Sequence, residues 1–150
     1  MNLRFLNRLK IPLLVLGWTT STSALALTLI FQGQFVPRNI NGGGLYPEVT
    51  NPNPFLLMGF YLGSFAISAL AGMVIANPGR TISAFFPAYI GAAALTWLVL
   101  ALPDFVVVND PQQVLQETAT LITFTAFFPV FLLTTFSGAI AGIALEERLL

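Results

Sequence analysis

The residues of this chain whose types could do chemistry are few and scattered. Asp104, Asp110 and Glu117, in the second polar connection, are the acidic cluster that could suggest a cation site. Their spacing matches no calcium-loop pattern, so they read as a solvated acidic surface. Gly42-Gly43-Gly44 lacks the Lys-Ser/Thr ending and the strand–helix setting of a phosphate loop, and reads instead as a loop that caps the chain or packs on a partner. Hydroxyls are the remaining polar chemistry. They run through Thr19-Thr20-Ser21-Thr22-Ser23 and recur at Thr120, Thr123 and Thr134. In an apolar helix such groups bond back to carbonyls a turn earlier, bond across to a neighbouring helix, or line a path for a polar solute. The first two uses make the run from Thr19 to Ser23 a helix-contact face. The third makes Thr19, Thr20, Thr22, Ser23, Thr120 and Thr123 a polar lining.

Absences narrow the classes further. The chain has no Cys and no His. It therefore lacks a thiolate nucleophile, an Fe–S ligand set, a Cys-based zinc site and the commonest haem and transition-metal ligand. It also lacks the usual near-neutral proton carrier. No catalytic residue, metal ligand or cofactor-binding residue is assigned, and the chain is read as a non-enzyme without a cofactor. Six basic and six acidic residues balance, so no basic field for nucleic acid exists.

The elements that must carry these residues are membrane spans. Charged residues make up 8% of the chain, against about 25% in ordinary soluble proteins. Two apolar stretches, 54–76 and 80–102, contain no Asp, Glu, Lys or His, and their only charge is Arg80 at the start of the second. At 1.5 Å per residue each is about 34 Å long as a helix, enough for a hydrocarbon core of about 30 Å. Asn77-Pro78-Gly79-Arg80 reads as the turn between them, with Pro78 stopping one helix and the two helices antiparallel neighbours. Pro87 predicts a local kink, and Pro103-Asp104 the end of the third segment.

One further span is expected on each side. The stretch 11–31 follows a basic start with Arg4, Arg8 and Lys10. Ser23-Ala24-Leu25-Ala26 resembles a secretory cleavage site, but apolar character continues beyond it and more spans follow, so a retained first helix is expected. The stretch 118–145 would be about 42 Å as one straight helix, longer than the core, with a kink at Pro129. Asn109-Asp110-Pro111 reads as a turn before it. The expected fold is an all-α integral membrane protein: one domain of four transmembrane helices (11–31, 54–76, 80–102, 118–145) in an up-down bundle, with polar external loops at 32–53 and 103–117.

Orientation follows from the cations. Arg4, Arg8, Lys10, Arg80 and Arg148 fall on one side and Arg38 on the other, so both termini are expected in the cytoplasm. A multi-pass plasma-membrane protein is the first reading, with an organellar or thylakoid membrane as the other. Arg80 and Trp97 are expected as membrane-interface anchors.

Small residues at helical spacing mark contact faces. Gly59 and Gly63 form one ridge, Ser64, Ser68 and Gly72 a second, and Thr134, Gly138 and Gly142 a third. Such ridges let helix backbones approach closely where lipid supplies no hydrophobic drive. With them come 14 Phe that could face lipid, pigment or partner helices. The leading expectation is a structural or accessory subunit of a larger membrane assembly, with the lipid bilayer and other membrane subunits, or a second copy, as partners. The alternative is a small channel or carrier for a neutral or weakly polar solute. A proton-coupled pump would need an embedded carboxylate or His, and none of the four segments has one at its core.

Overall fold

The computed structural model describes residues 3–35, 52–106 and 114–149, with side chains at 10–35, 52–103 and 116–148. Among them are five helices and no strand: α1 (Leu3–Phe31), α2 (Pro54–Ile75), α3 (Pro78–Val106), α4 (Val114–Phe127) and α5 (Val130–Leu149). Four are long and apolar enough to cross a membrane, over Lys10–Phe31, Pro54–Ile75, Pro78–Pro103 and Val130–Arg148. The glycine run at 42–44, the turn at 109–111 and the side chains of Arg4, Arg8, Arg38, Asp104 and Asp110 lie outside the described residues.

The expected fourth segment is corrected. The stretch 118–145 is not one kinked helix but two, α4 and α5, separated at Phe128-Pro129. Pro129 has no N–H to continue the ladder, and its ring crowds the preceding turn. The last bond of α4 runs from the Phe128 N–H to the Phe124 carbonyl, and α5 begins with the Leu133 N–H on the Pro129 carbonyl. At 14 residues, α4 is about 21 Å long, too short to cross a hydrocarbon core of about 30 Å. The fourth helix of crossing length is α5.

The α2–α3 link is also tighter than expected. Ala76 closes α2 in the left-handed region (φ 54), donating to the Gly72 carbonyl. Asn77 then opens α3, its Oδ1 accepting from the Arg80 N–H at 3.0 Å. Pro78 therefore starts a helix instead of stopping one, because its missing N–H and fixed φ suit the first helical position. Asn53-Pro54 does the same for α2, with Asn53 Oδ1 accepting from the N–H groups of Phe55 and Leu56. Helix α3 runs unbroken through Pro87 and past Pro103, so neither ends it. At its other end, α1 stops in Gly33 (φ 80), a backbone that disfavours any residue with a Cβ. The buried Gln34 then takes the Asn53 N–H on its Oε1 at 2.9 Å, tying the end of α1 to the start of α2.

Side-chain contacts give the relative directions. Trp18 meets Ser68 and Leu25 lies beside Gly63, so α1 and α2 are antiparallel. Trp18 meets Phe85 and Ser23 meets Thr96, so α1 and α3 are parallel. Gly138 faces Phe65 and Gly142 faces Ala69, so α2 and α5 are parallel. Helix α3 opposes both α4, through Trp97 and Thr120, and α5, through Phe85 and Phe136. Despite their short link, α2 and α3 touch each other far less than α2 touches α5 or α3 touches α1. Two apolar clusters fill the interior. One gathers Leu29, Phe35, Phe60, Phe127 and Phe131, the other Trp18, Phe85, Ala88 and Ala139.

Candidate functional site

The seam between α2 and α5 is built from small residues and brings the two backbones together. Ser64, Ser68 and Gly72 are buried on α2, and Gly138 and Gly142 on α5. A Cβ at Gly138 would lie 2.5 Å from the Phe65 carbonyl oxygen and 3.1 Å from the Ser68 Cβ. A Cβ at Gly142 would lie 2.9 Å from the Met73 nitrogen and nearer still to the Ala69 carbonyl. One at Gly72 would press on the Ala139 carbonyl. Backbone meets backbone here, which only glycine permits. The third ridge thus folds onto the second within the chain. Thr134 is half-buried, with its hydroxyl donated to the Val130 carbonyl of its own helix.

The Gly59 and Gly63 ridge is placed differently. Gly63 faces α1, where a Cβ would sit 3.4 Å from a Leu25 methyl. Gly59 is exposed, with nothing within 4 Å of the position a Cβ would take.

The hydroxyls of the candidate lining divide between bonds within one helix, bonds between helices and two that lack a partner. Thr20, Thr120 and Thr134 donate to their own helices, to the carbonyls of Leu16, Gln116 and Val130. Thr19 donates across to the Ala88 carbonyl of α3 at 3.3 Å. Ser23 and Thr96 meet at 2.9 Å. The Thr96 hydroxyl donates to the Ala92 carbonyl, so Ser23 is the donor to Thr96. Thr22 and Thr123 are buried, and neither hydroxyl oxygen finds a partner. The bonds of Thr19 and Ser23 tie α1 to α3. Substituting Ser23→Ala and Thr96→Val singly and together is expected to give a coupling energy of about 0.6 kcal/mol in a detergent-unfolding double-mutant cycle, in line with other interhelical bonds in membranes.

Trp97 is a helix contact as well. Its indole N–H donates to Thr120 Oγ1 of α4 at 2.9 Å. Arg80 is exposed in the first turn of α3 and lines a cleft with Lys10.

Trp18 and Tyr89 also organise this interior, outside the small-residue ridges and the hydroxyl runs. Trp18 donates its indole N–H to Ser68 Oγ at 3.2 Å, joining the hydroxyl run of α1 to the small ridge of α2. Tyr89 donates its hydroxyl to the Phe127 carbonyl, one of the carbonyls that the end of α4 leaves without a helical partner. A tyrosine inside an apolar run needs a partner for its hydroxyl, and that alone could have singled it out. Among the described residues no three His, Cys, Asp or Glu side chains come close enough to hold a metal ion.

The described residues are helical throughout their regular structure, and four of the helices are of crossing length, which marks a multi-helix membrane protein. Set beside known proteins, it matches no protein-family model, no curated protein and no solved structure.

Proposed function

We propose that this chain is a structural or accessory subunit of a larger membrane assembly, docking through the outer face of α2. The observation that carries the reading is Gly59. It forms an open notch on a face whose other members, Phe55, Met58 and Leu62, are large, apolar and exposed. A glycine notch between bulky side chains is the shape that receives a ridge from another helix in a bilayer. The ridges Ser64, Ser68 and Gly72 and Gly138 and Gly142 already serve the seam between α2 and α5, and Gly59 stands outside it. In this reading the protein is multi-pass and up-down in the plasma membrane. The cation asymmetry supports a cytoplasmic side for both termini and the α2–α3 link. The solute path has less support, since Thr19, Thr20, Ser23 and Thr120 bond to their own helices or across the α1–α3 contact.

The test is the size of the particle extracted from its native membrane in mild detergent, by native gel or crosslinking. A particle heavier than one chain is expected, and Gly59→Leu should release the single chain without unfolding it. A strictly monomeric wild-type particle would overturn the proposal.

A further inference from the structure

Two clefts run into one another along the groove between α1 and α2. The first, about 310 Å³, is lined by Lys10, Ile11 and Leu14 of α1, Val74 and Ile75 of α2, and Arg80 of α3. The second, about 350 Å³, shares Leu14 and Val74 and continues past Gly17, Trp18, Ile67 and Leu70 to Ser21. Two cations from separate helices stand at one end, and among the described residues no carboxylate lines either cleft. The remainder of the groove is almost wholly apolar. From Lys10 to Ser21 is about 16 Å along α1. That is close to half of a hydrocarbon core of about 30 Å, the depth of one leaflet.

We infer that this groove binds one anionic phospholipid, with its phosphate between Lys10 and Arg80 and an acyl chain along Leu14, Gly17, Leu70 and Val74. The charged end selects an anion, and the apolar continuation selects a lipid over a free one. Lys10 and Arg80 belong to the cation-rich side of the chain, where an anionic leaflet attracts basic residues. Gly17 gives the chain its room, since nothing lies within 4 Å of where its Cβ would be. The inference rests on the membrane reading and is independent of any partner at Gly59.

Trp18 lines the groove and supplies the probe. The full-length protein carrying Trp97→Phe retains Trp18 as its single tryptophan. It is reconstituted in phosphatidylcholine vesicles with a small fraction of phosphatidylglycerol brominated on its chains. Bromine on a bound chain quenches Trp18, so stronger quenching than from brominated phosphatidylcholine at the same fraction is expected. Lys10→Ala with Arg80→Ala should weaken the preference roughly tenfold to thirtyfold. Gly17→Leu should reduce quenching with both cations intact, by filling the groove. Arg148→Ala should leave it unchanged. Equal quenching by the two lipids, an unaltered double variant, or an equal loss in Arg148→Ala would overturn the site. Displacement of the quencher by millimolar inorganic phosphate would show a free-anion site instead and would overturn the lipid assignment.

Discussion

Gly142→Leu is expected to separate α2 from α5 and to destabilise the protein by about 3 kcal/mol, the upper end of the usual overpacking range. The atoms in the way belong to the backbone, at the Ala69 carbonyl and the Met73 nitrogen, so no side chain can swing aside. Relief requires the helices to move apart, and that opens the seam at Gly138 and Gly72 as well. In a bilayer, the association of these helices depends on close packing, because lipid tails are as apolar as the side chains. Even Gly142→Ala should destabilise, although alanine favours a helix over glycine by about 1 kcal/mol. The control is Gly59→Leu, the same kind of change at a position with open space. Its single-chain stability should stay within about 0.5 kcal/mol of wild type, as at other surface sites. Unfolding in mixed detergent micelles, followed by circular dichroism, measures both. Equal stability of Gly142→Leu and wild type would show that the two helices do not meet as described.

Phe131→Ala should destabilise the chain by about 3 kcal/mol, the low end for deleting a buried aromatic side chain. Phe131 is 1% exposed, at the first turn of α5 just beyond the break. Its ring stacks on Phe60 of α2 with centroids 4.8 Å apart, and meets Phe127 of α4 edge-on at 4.9 Å. Tyr89 of α3 lies 6.1 Å away. One side chain therefore touches three helices at the point where α4 hands over to α5. Truncation leaves a cavity whose lining loses its dispersion partners on one side. The low end of the range is used because lipid, unlike water, gives an exposed phenyl ring little reason to hide. Phe131→Leu should recover part of the loss, and Phe124→Ala, on the exposed side of α4, should cost far less. The same micelle unfolding assay ranks the three. A Phe131→Ala protein as stable as Phe124→Ala would remove Phe131 from its place at the junction.

The seam and the break differ in how far they could be read in advance. Ser64, Ser68 and Gly72, and Gly138 and Gly142, stand out because four-residue spacing of small side chains is a local pattern. That the two ridges meet each other is not local, since any ridge could equally face a partner. The same pattern gave Gly59 and Gly63, yet one faces Leu25 and the other faces nothing. Proline was the hardest residue to interpret. Pro78 opens a helix, Pro87 and Pro103 are carried within one, and Pro129 separates two. The ring removes an N–H at each, and the surrounding packing decides whether the helix survives the loss. At Pro129, α4 follows α3 while α5 follows α2, so the chain changes partner where its ladder is interrupted.

Hydropathy and length determined what the sequence alone could determine: helices, four of them of crossing length. Those properties are summed along the chain, because a bilayer requires each span to satisfy its own backbone. Tertiary structure decided everything that depends on two helices at once. It matched the α2 ridge to α5, joined Ser23 to Thr96 and Trp18 to Ser68, and brought Arg80 to the cleft that Lys10 lines. Contacts between apolar surfaces in lipid are governed by shape at the scale of single atoms, and no one-dimensional pattern encodes that.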